Sequence, residues 1–102
     1  MDMTEKIMVG VDIKDDFVGE AIASAIAEIN PNCETMKLPG LLKIKSPNRM
    51  LIETEVVEKY LKSDWCTEDF NLSIVSYFGD IIDWDDDRIL ISWKRFQGEG
   101  VQ

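Results

Sequence analysis

The sequence predicts a single α+β domain in which two to three helices accompany mostly antiparallel strands. The chain has 102 residues, of which 45% are apolar and 30% are charged, a mixture typical of one globular domain. Short alternating stretches recur between turn residues, as strands require. Few segments have helical three-four spacing. Strands and helices therefore do not alternate strictly, as they would in a parallel α/β fold.

The first half of the chain contains a strand, a helix and a meander. Glu5 to Ile13 alternates and ends in an apolar stretch, which predicts a strand with one buried face. Asp15 or Asp16 then caps a helix with apolar three-four spacing, and Asn30-Pro31 ends it. Two or three short strands follow between turn residues. They are Cys33 to Leu38, Leu41 to Lys45 and Arg49 to Ile52.

The second half begins with helical signals and ends in strands. Thr54 is predicted to cap a short helix that Lys62-Ser63-Asp64 closes, and Thr67-Glu68-Asp69 predicts a brief helical turn. The apolar run Leu72 to Phe78 fits either a strand or a helix. After a turn near Gly79, two further apolar stretches predict a hairpin.

Residues 94–102 contain two glycines and little apolar material, so we expect a mobile tail there. The predicted organisation is therefore one domain over residues 1–93 and a flexible tail over residues 94–102. The segment before the first strand lacks the basic stretch and the apolar core of a secretory signal. We expect a cytoplasmic protein.

Charge limits the classes of partner. Twenty acidic against eleven basic side chains give a formal net charge of -9, so a phosphate backbone or an anionic lipid surface would be repelled. No apolar run approaches the roughly 20 residues that span a bilayer. We therefore expect neither a nucleic acid nor a membrane as the partner.

The side chains of common catalytic and metal sites are scarce. The sequence has no histidine, which removes the commonest general base and the commonest transition-metal ligand. Cys33 and Cys66 alone do not make a four-ligand zinc site, and in a reducing compartment we expect two buried thiols rather than a disulfide. We expect no cofactor and no catalytic constellation.

Two patterns have both a structural and a binding interpretation. The run Asp83-Trp84-Asp85-Asp86-Asp87 could hold a cation, but it lacks the glycine and the glutamate of an EF-hand loop, and aspartates favour turns. We predict a hairpin turn. The tryptophans Trp65, Trp84 and Trp93 could form a ligand cage, but a small domain needs their area for its core. We predict core packing.

Several segments, spread from about Val9 to Trp93, carry a resemblance to one family. They are 27–31, 38–44, 51–61, 65–70, 75–79 and 84–93. In these segments the sequence resembles the small regulatory, effector or coupling proteins of bacterial multicomponent diiron monooxygenases: those of phenol hydroxylase, toluene monooxygenase and soluble methane monooxygenase. It looks most like the phenol hydroxylase branch. One departure is Lys62, where many members have a glycine after the second helix.

The resemblance implies βαββ and βααββ units, no cofactor and no independent turnover. It also implies a partner, the diiron hydroxylase of a phenol or aromatic-hydrocarbon monooxygenase, whose substrate access, oxygen activation and coupling to NADH oxidation the chain would tune. An unrelated cytoplasmic protein-binding adaptor remains an alternative. A small protein that binds a metal or a ligand through carboxylates or tryptophans is a further one.

The resemblance also suggests where the partner docks, because the stretch before the matching glycine faces the hydroxylase in the family. This implies Ser73, Val75, Ser76, Tyr77 and Gly79 as contact residues. The loop with Ile13, Lys14 and Asp15 is implied as a neighbouring contact. Within the same stretch, we interpret Leu72, Ile74 and Phe78 as core residues because they are large and apolar.

Overall fold

The structure is a computed structural model, and it describes residues 7–93. It has seven strands, three α-helices and one 3-10 turn within that range. In chain order they are β1 (Met8–Lys14), α1 (Phe17–Ile29), β2 (Glu34–Leu38), β3 (Leu41–Pro47), β4 (Arg49–Glu53), α2 (Thr54–Leu61), the 3-10 turn Thr67–Asp69, α3 (Phe70–Ser73), β5 (Ile74–Phe78), β6 (Asp80–Trp84) and β7 (Arg88–Ser92). The predicted tail, residues 94–102, lies outside the described residues.

The strands form two antiparallel sheets. The first has the order β2-β3-β1-β5 and the second the order β4-β7-β6. The prediction of an α+β fold is therefore confirmed. The first unit is β1-α1-β2-β3, and the second combines β4, two helices, β6 and β7. Strand β5 follows α3 in the second unit but pairs with β1 in the first sheet. This pairing joins the two units into one domain.

The core lies between the sheets and α1. Strand β1 turns every second side chain inward, and α1 contributes the residues of one apolar stripe. Strands β4 and β7 close the core from the second sheet. The innermost side chains, all fully buried, include Val9, Ile13, Ile22, Ile26, Met50, Ile52, Ile89 and Ile91. Of the tryptophans, Trp65 is buried, and Trp84 and Trp93 pack partly buried against the core, as predicted.

The helix boundaries confirm some of the expected caps and correct one. Asp16 caps α1, since its Oδ1 accepts a hydrogen bond from Gly19 N at 2.8 Å. Thr54 is not a cap: it is the first residue of α2, and its hydroxyl donates instead to Asp86 O at 3.1 Å. At the other end of α2, Lys62 has a left-handed backbone with φ 63°. Glycine adopts this conformation at little cost, so the backbone at Lys62 is one in which the glycine expected from the resemblance would be favoured.

The carboxamide of Asn30 connects α1 to the second sheet. Its Nδ2 donates to Ile26 O at 2.9 Å and to Leu51 O at 2.8 Å, and its Oδ1 accepts from Leu51 N at 2.9 Å. Asn30 is buried, and Leu51 is in the middle of the edge strand β4. One side chain therefore ends α1 and satisfies the free peptide groups of a strand 21 residues away.

Replacement of Asn30 by alanine should destabilise the domain strongly. It leaves the peptide N–H and C=O of Leu51 without their partner in a partly buried place, which costs about 2–3 kcal/mol. For a domain of this size that lowers the Tm by roughly 10 °C or more in a thermal melt. Asn32→Ala, an exposed asparagine two residues along, is the matched control and should melt like wild type. Equal melting of the two variants would contradict the role of Asn30.

Candidate functional site

The edge strand β5 exposes apolar side chains. Among residues 7–93 it pairs with β1 alone. The register shifts between Asp12 and Ile13, so that Ser76 lies opposite Asp12 while Ile74 lies opposite Ile13. Val75, between them, is the extra residue of a bulge. Bulges re-aim side chains and are common beside functional sites. Val75 is 58% exposed and Tyr77 is 49% exposed.

Asp12 holds the edge strand in place. Its Oδ2 accepts a hydrogen bond from Ser76 Oγ at 2.8 Å, and its Oδ1 accepts one from Lys43 Nζ at 3.1 Å. The carboxylate therefore joins β5, β1 and β3 across the outer face of the first sheet. Ser76 remains exposed, so the bond orients the strand without removing it from the surface.

Two glycines shape the C-terminal end of β5. The ring of Phe78 covers Gly10: a Cβ on Gly10 would come within 2.5 Å of that ring. Gly79 has φ 124° and ends β5, and a Cβ there would meet Ile91 and Val9 at 2.8 and 3.0 Å. Gly79, one of the implied contact residues, thus has a structural role in the turn between the two sheets.

The structure assigns the implied contact residues to two groups. Val75, Ser76 and Tyr77 are exposed on one strand, and Lys14 is exposed at the end of the neighbouring strand. Asp15 follows and is half-buried. Ile13 and Ser73 are wrong as surface residues: their side chains are 0% and 4% exposed. Ile13 is on the inward side of β1, and Ser73 is on the inward side of α3.

Two residues interpreted as core are instead exposed. Leu72 is 71% exposed and Phe78 is 41% exposed, whereas Ile74 packs partly buried against the core. The run is not one element: α3 ends at Ser73 and β5 begins at Ile74. Phe70 and Ser73 turn inward with helical spacing and Leu72 turns outward. If the helical turn predicted at Thr67-Glu68-Asp69 is extended through Ser73, helical spacing places Phe70 and Ser73 on one side and Leu72 on another.

An open cleft lies beside this surface, with a volume of about 420 Å³. Phe17 of α1 and Leu72 of α3 are at its rim, and Trp65 forms part of its wall. Phe17, the first residue of α1, is 74% exposed although it is large and apolar. The indole Nε1 of Trp65 is a buried donor with no hydrogen-bond partner in the described structure. Such a group costs about 1–3 kcal/mol.

Charges cluster at the start of α1. A hydrogen bond with Glu20 raises the pKa of the Asp15 carboxyl, and the same bond lowers the pKa of Glu20. Lys37 Nζ, 3.1 Å from Glu20 Oε2, lowers the pKa of Glu20 further. Glu20 and Lys37 are exposed and Asp15 is half-buried, so salt screens the interaction of these groups.

The acidic run forms the turn of the β6-β7 hairpin, as predicted. Asp85 Oδ1 accepts hydrogen bonds from Asp87 N at 2.8 Å and Arg88 N at 3.0 Å, and Arg88 pairs with Asp83 at 3.1 Å. Within residues 7–93, no group of three or more Cys, Asp or Glu side chains is arranged to hold a metal ion. Both cysteines are free thiols, but the expectation that both are buried is wrong: Cys66 is exposed, and Cys33 is half-buried, which raises its pKa.

Sequence comparison gives the family. Residues 7–92 match the MmoB/DmpM family model, which is nearly the whole described part. The chain belongs to this family. The exposed strand β5 and the cleft beside it lie within the matched region.

Known members support the same assignment. Over 88 residues the chain is 26% identical to the phenol 2-monooxygenase stimulatory component DmpM of Pseudomonas sp. (strain CF600), with 86% of this chain and 97% of that protein covered. A chain in a solved phenol hydroxylase–regulatory protein complex is 27% identical, with a TM-score of 0.79 and coverage of 86% of this chain and 100% of that one. The soluble methane monooxygenase regulatory protein B is 13% identical, with a TM-score of 0.68 and coverage of 94% and 75%; it shares the fold.

The side chain of Asp85 should stabilise the hairpin through its two accepted bonds. Asp85→Ala removes both and should lower the free energy of unfolding by about 0.5–1 kcal/mol in denaturant titration. Asp85→Asn keeps the acceptor oxygen and should lose less. Asp86→Ala is the matched control, because Asp86 takes part through its backbone carbonyl. A larger effect at Asp86 than at Asp85 would contradict this account of the turn.

Proposed function

We propose that this chain is the regulatory component of a multicomponent monooxygenase and that it binds the hydroxylase of that system. The observation that carries the proposal is the family match over residues 7–92, together with coverage of 97% of a phenol 2-monooxygenase stimulatory component. The match reaches end to end, so the similarity covers that relative's whole domain rather than a fragment of it.

We propose that the chain is a regulatory component and not itself the catalyst. Its sequence has no histidine, and the family's named members are stimulatory or regulatory components. Among residues 7–93 the longest helix has 13 residues, and none has the length and apolar character of a membrane span. We propose a cytoplasmic protein whose partner is the diiron hydroxylase of a phenol or aromatic-hydrocarbon monooxygenase, as the sequence resemblance implies.

A binding protein of this kind acts through differential affinity. It shifts the hydroxylase toward one conformation only as far as it binds that conformation more tightly than the other. A hundredfold effect on rate needs about 2.7 kcal/mol. One well-packed interface patch supplies a difference of this size, so a rigid domain without a cofactor is sufficient.

We propose that the patch is centred on β5. Val75, Ser76 and Tyr77 lie side by side on an exposed edge strand, with Lys14 at the end of the adjacent strand. An amphipathic aromatic beside an aliphatic side chain is typical of interface centres. The bonds of Asp12 to Ser76 and Lys43 hold the strand in one geometry, which reduces the entropy lost on binding.

Reconstitution tests the function directly. We expect hydroxylase, reductase and NADH to form much more product per NADH oxidised when the chain is present than when it is absent. The chain alone should oxidise no substrate, because it supplies binding and not chemistry. Product formation that is independent of the chain across a full titration would reject the proposed function.

Substitution of Tyr77 tests the proposed contact surface. If Tyr77 is an anchor, Tyr77→Ala removes about 2 kcal/mol of binding energy and weakens hydroxylase binding by roughly thirtyfold in a calorimetric titration. Met36→Ala is the matched control, because Met36 is 56% exposed on β2, the opposite edge of the same sheet. Thermal melts establish that both variants are folded. Equal binding by the two variants would place the interface elsewhere.

A further inference from the structure

The cleft between α1 and α3 combines apolar rims with acidic walls. Phe17 and Leu72 are the two most exposed large hydrophobic side chains in the described part of the chain, at 74% and 71%. They flank the same opening of about 420 Å³. Two such side chains beside one concave surface form an apolar patch that folding has left uncovered.

Carboxylates supply the charge of this cleft. Asp16, Asp64 and Asp69 line it, and none of its lining residues in the described structure is a lysine or an arginine. The carboxylate of Asp16 is engaged as the cap of α1. Asp64 and Asp69 are the carboxylates that remain to receive a cation. The wall also contains Trp65, whose buried indole N–H has no partner.

We infer that this cleft receives a lysine or arginine side chain of the hydroxylase, an inference that rests on the proposed function. The methylene stem of such a side chain would pack against Phe17 and Leu72 while its head reaches Asp64 and Asp69. The apolar rim and the two carboxylates of the cleft then each have a partner in one inserted side chain.

Charge favours a cationic side chain in the cleft over an apolar side chain or a second copy of this chain. A purely apolar side chain would cover the carboxylates without pairing them, which is costly. A second copy of this chain would bring another net charge of -9 to an acidic surface. Leu72 and Ser73 lead directly into β5, so the cleft also continues the contact surface proposed above. A basic segment of the hydroxylase therefore fits best.

The experiment compares two variants that lose the same charge at different places. The first is Asp64→Asn with Asp69→Asn in the cleft, and the second is Asp85→Asn with Asp87→Asn in the hairpin turn. Each removes two negative charges while preserving side-chain shape. Binding of each full-length variant to the purified hydroxylase is titrated over a range of salt concentrations, with Leu72→Ala as a third variant and thermal melts to verify folding.

We expect the cleft variant to bind about tenfold more weakly than wild type at low salt and to lose part of the salt dependence. The hairpin variant should stay within about twofold, because exposed charges outside an interface contribute little. Leu72→Ala should also weaken binding by about tenfold, since it removes the apolar contact of the stem. These three results together support a cationic side chain in the cleft.

Other outcomes overturn the inference. Equal binding by the cleft and hairpin variants would mean that Asp64 and Asp69 act only through the overall charge of the protein. Weakening by Leu72→Ala alone would make the occupant apolar. Self-association of the free chain in analytical ultracentrifugation, abolished by the cleft variant, would make the occupant a second copy. Failure of the wild-type chain to bind hydroxylase is a different result, because it rejects the proposed function itself.

Discussion

The carboxamide of Asn30 is the interaction on which the arrangement of the two sheets depends. It ends α1 and pairs with both peptide groups of Leu51 in β4, so the helix that covers the first sheet is also attached to the second. The buried side chains of α1, β1, β4 and β7 then form one core. A small domain needs a single continuous core, because each sheet alone would bury too little apolar surface.

The return of β5 to the first sheet is the second consequence of this arrangement. In the described part of the chain β5 pairs only with β1 and is an edge strand, and an exposed edge strand normally risks pairing with other chains. The bulge at Val75 and the side-chain bond from Ser76 to Asp12 make this edge irregular and well oriented. An edge of this kind suits recognition of a shaped protein surface better than extension of a sheet.

Electrostatics and packing have separate roles in the proposed interface. Val75 and Tyr77 offer apolar area on β5, whereas Asp64 and Asp69 offer charge at the cleft. In an acidic protein the field favours approach to a basic surface and speeds association, while the buried contacts determine how long the complex lasts. The regulatory effect then depends on which hydroxylase conformation presents both kinds of complementary group.

The sequence by itself determined the elements that depend on local signals. Turn residues and apolar periodicity predicted α1, the β6-β7 hairpin and a cap at Asp15 or Asp16, because caps and turns are made by neighbours along the chain. The predicted meander is only partly correct: β2 and β3 pair with each other, but β4 pairs with β7 in the second sheet. The family also followed from the order of its segments. Only the tertiary structure decided which of residues 72–78 are helical, which form a strand and which are exposed. Helix and strand both fit that run, and its division after Ser73 turns Leu72 outward and Ser73 inward. The burial of Ile13 and the cleft between Phe17 and Leu72 likewise depend on which elements pack together, since exposure is a property of the assembled core and not of local sequence.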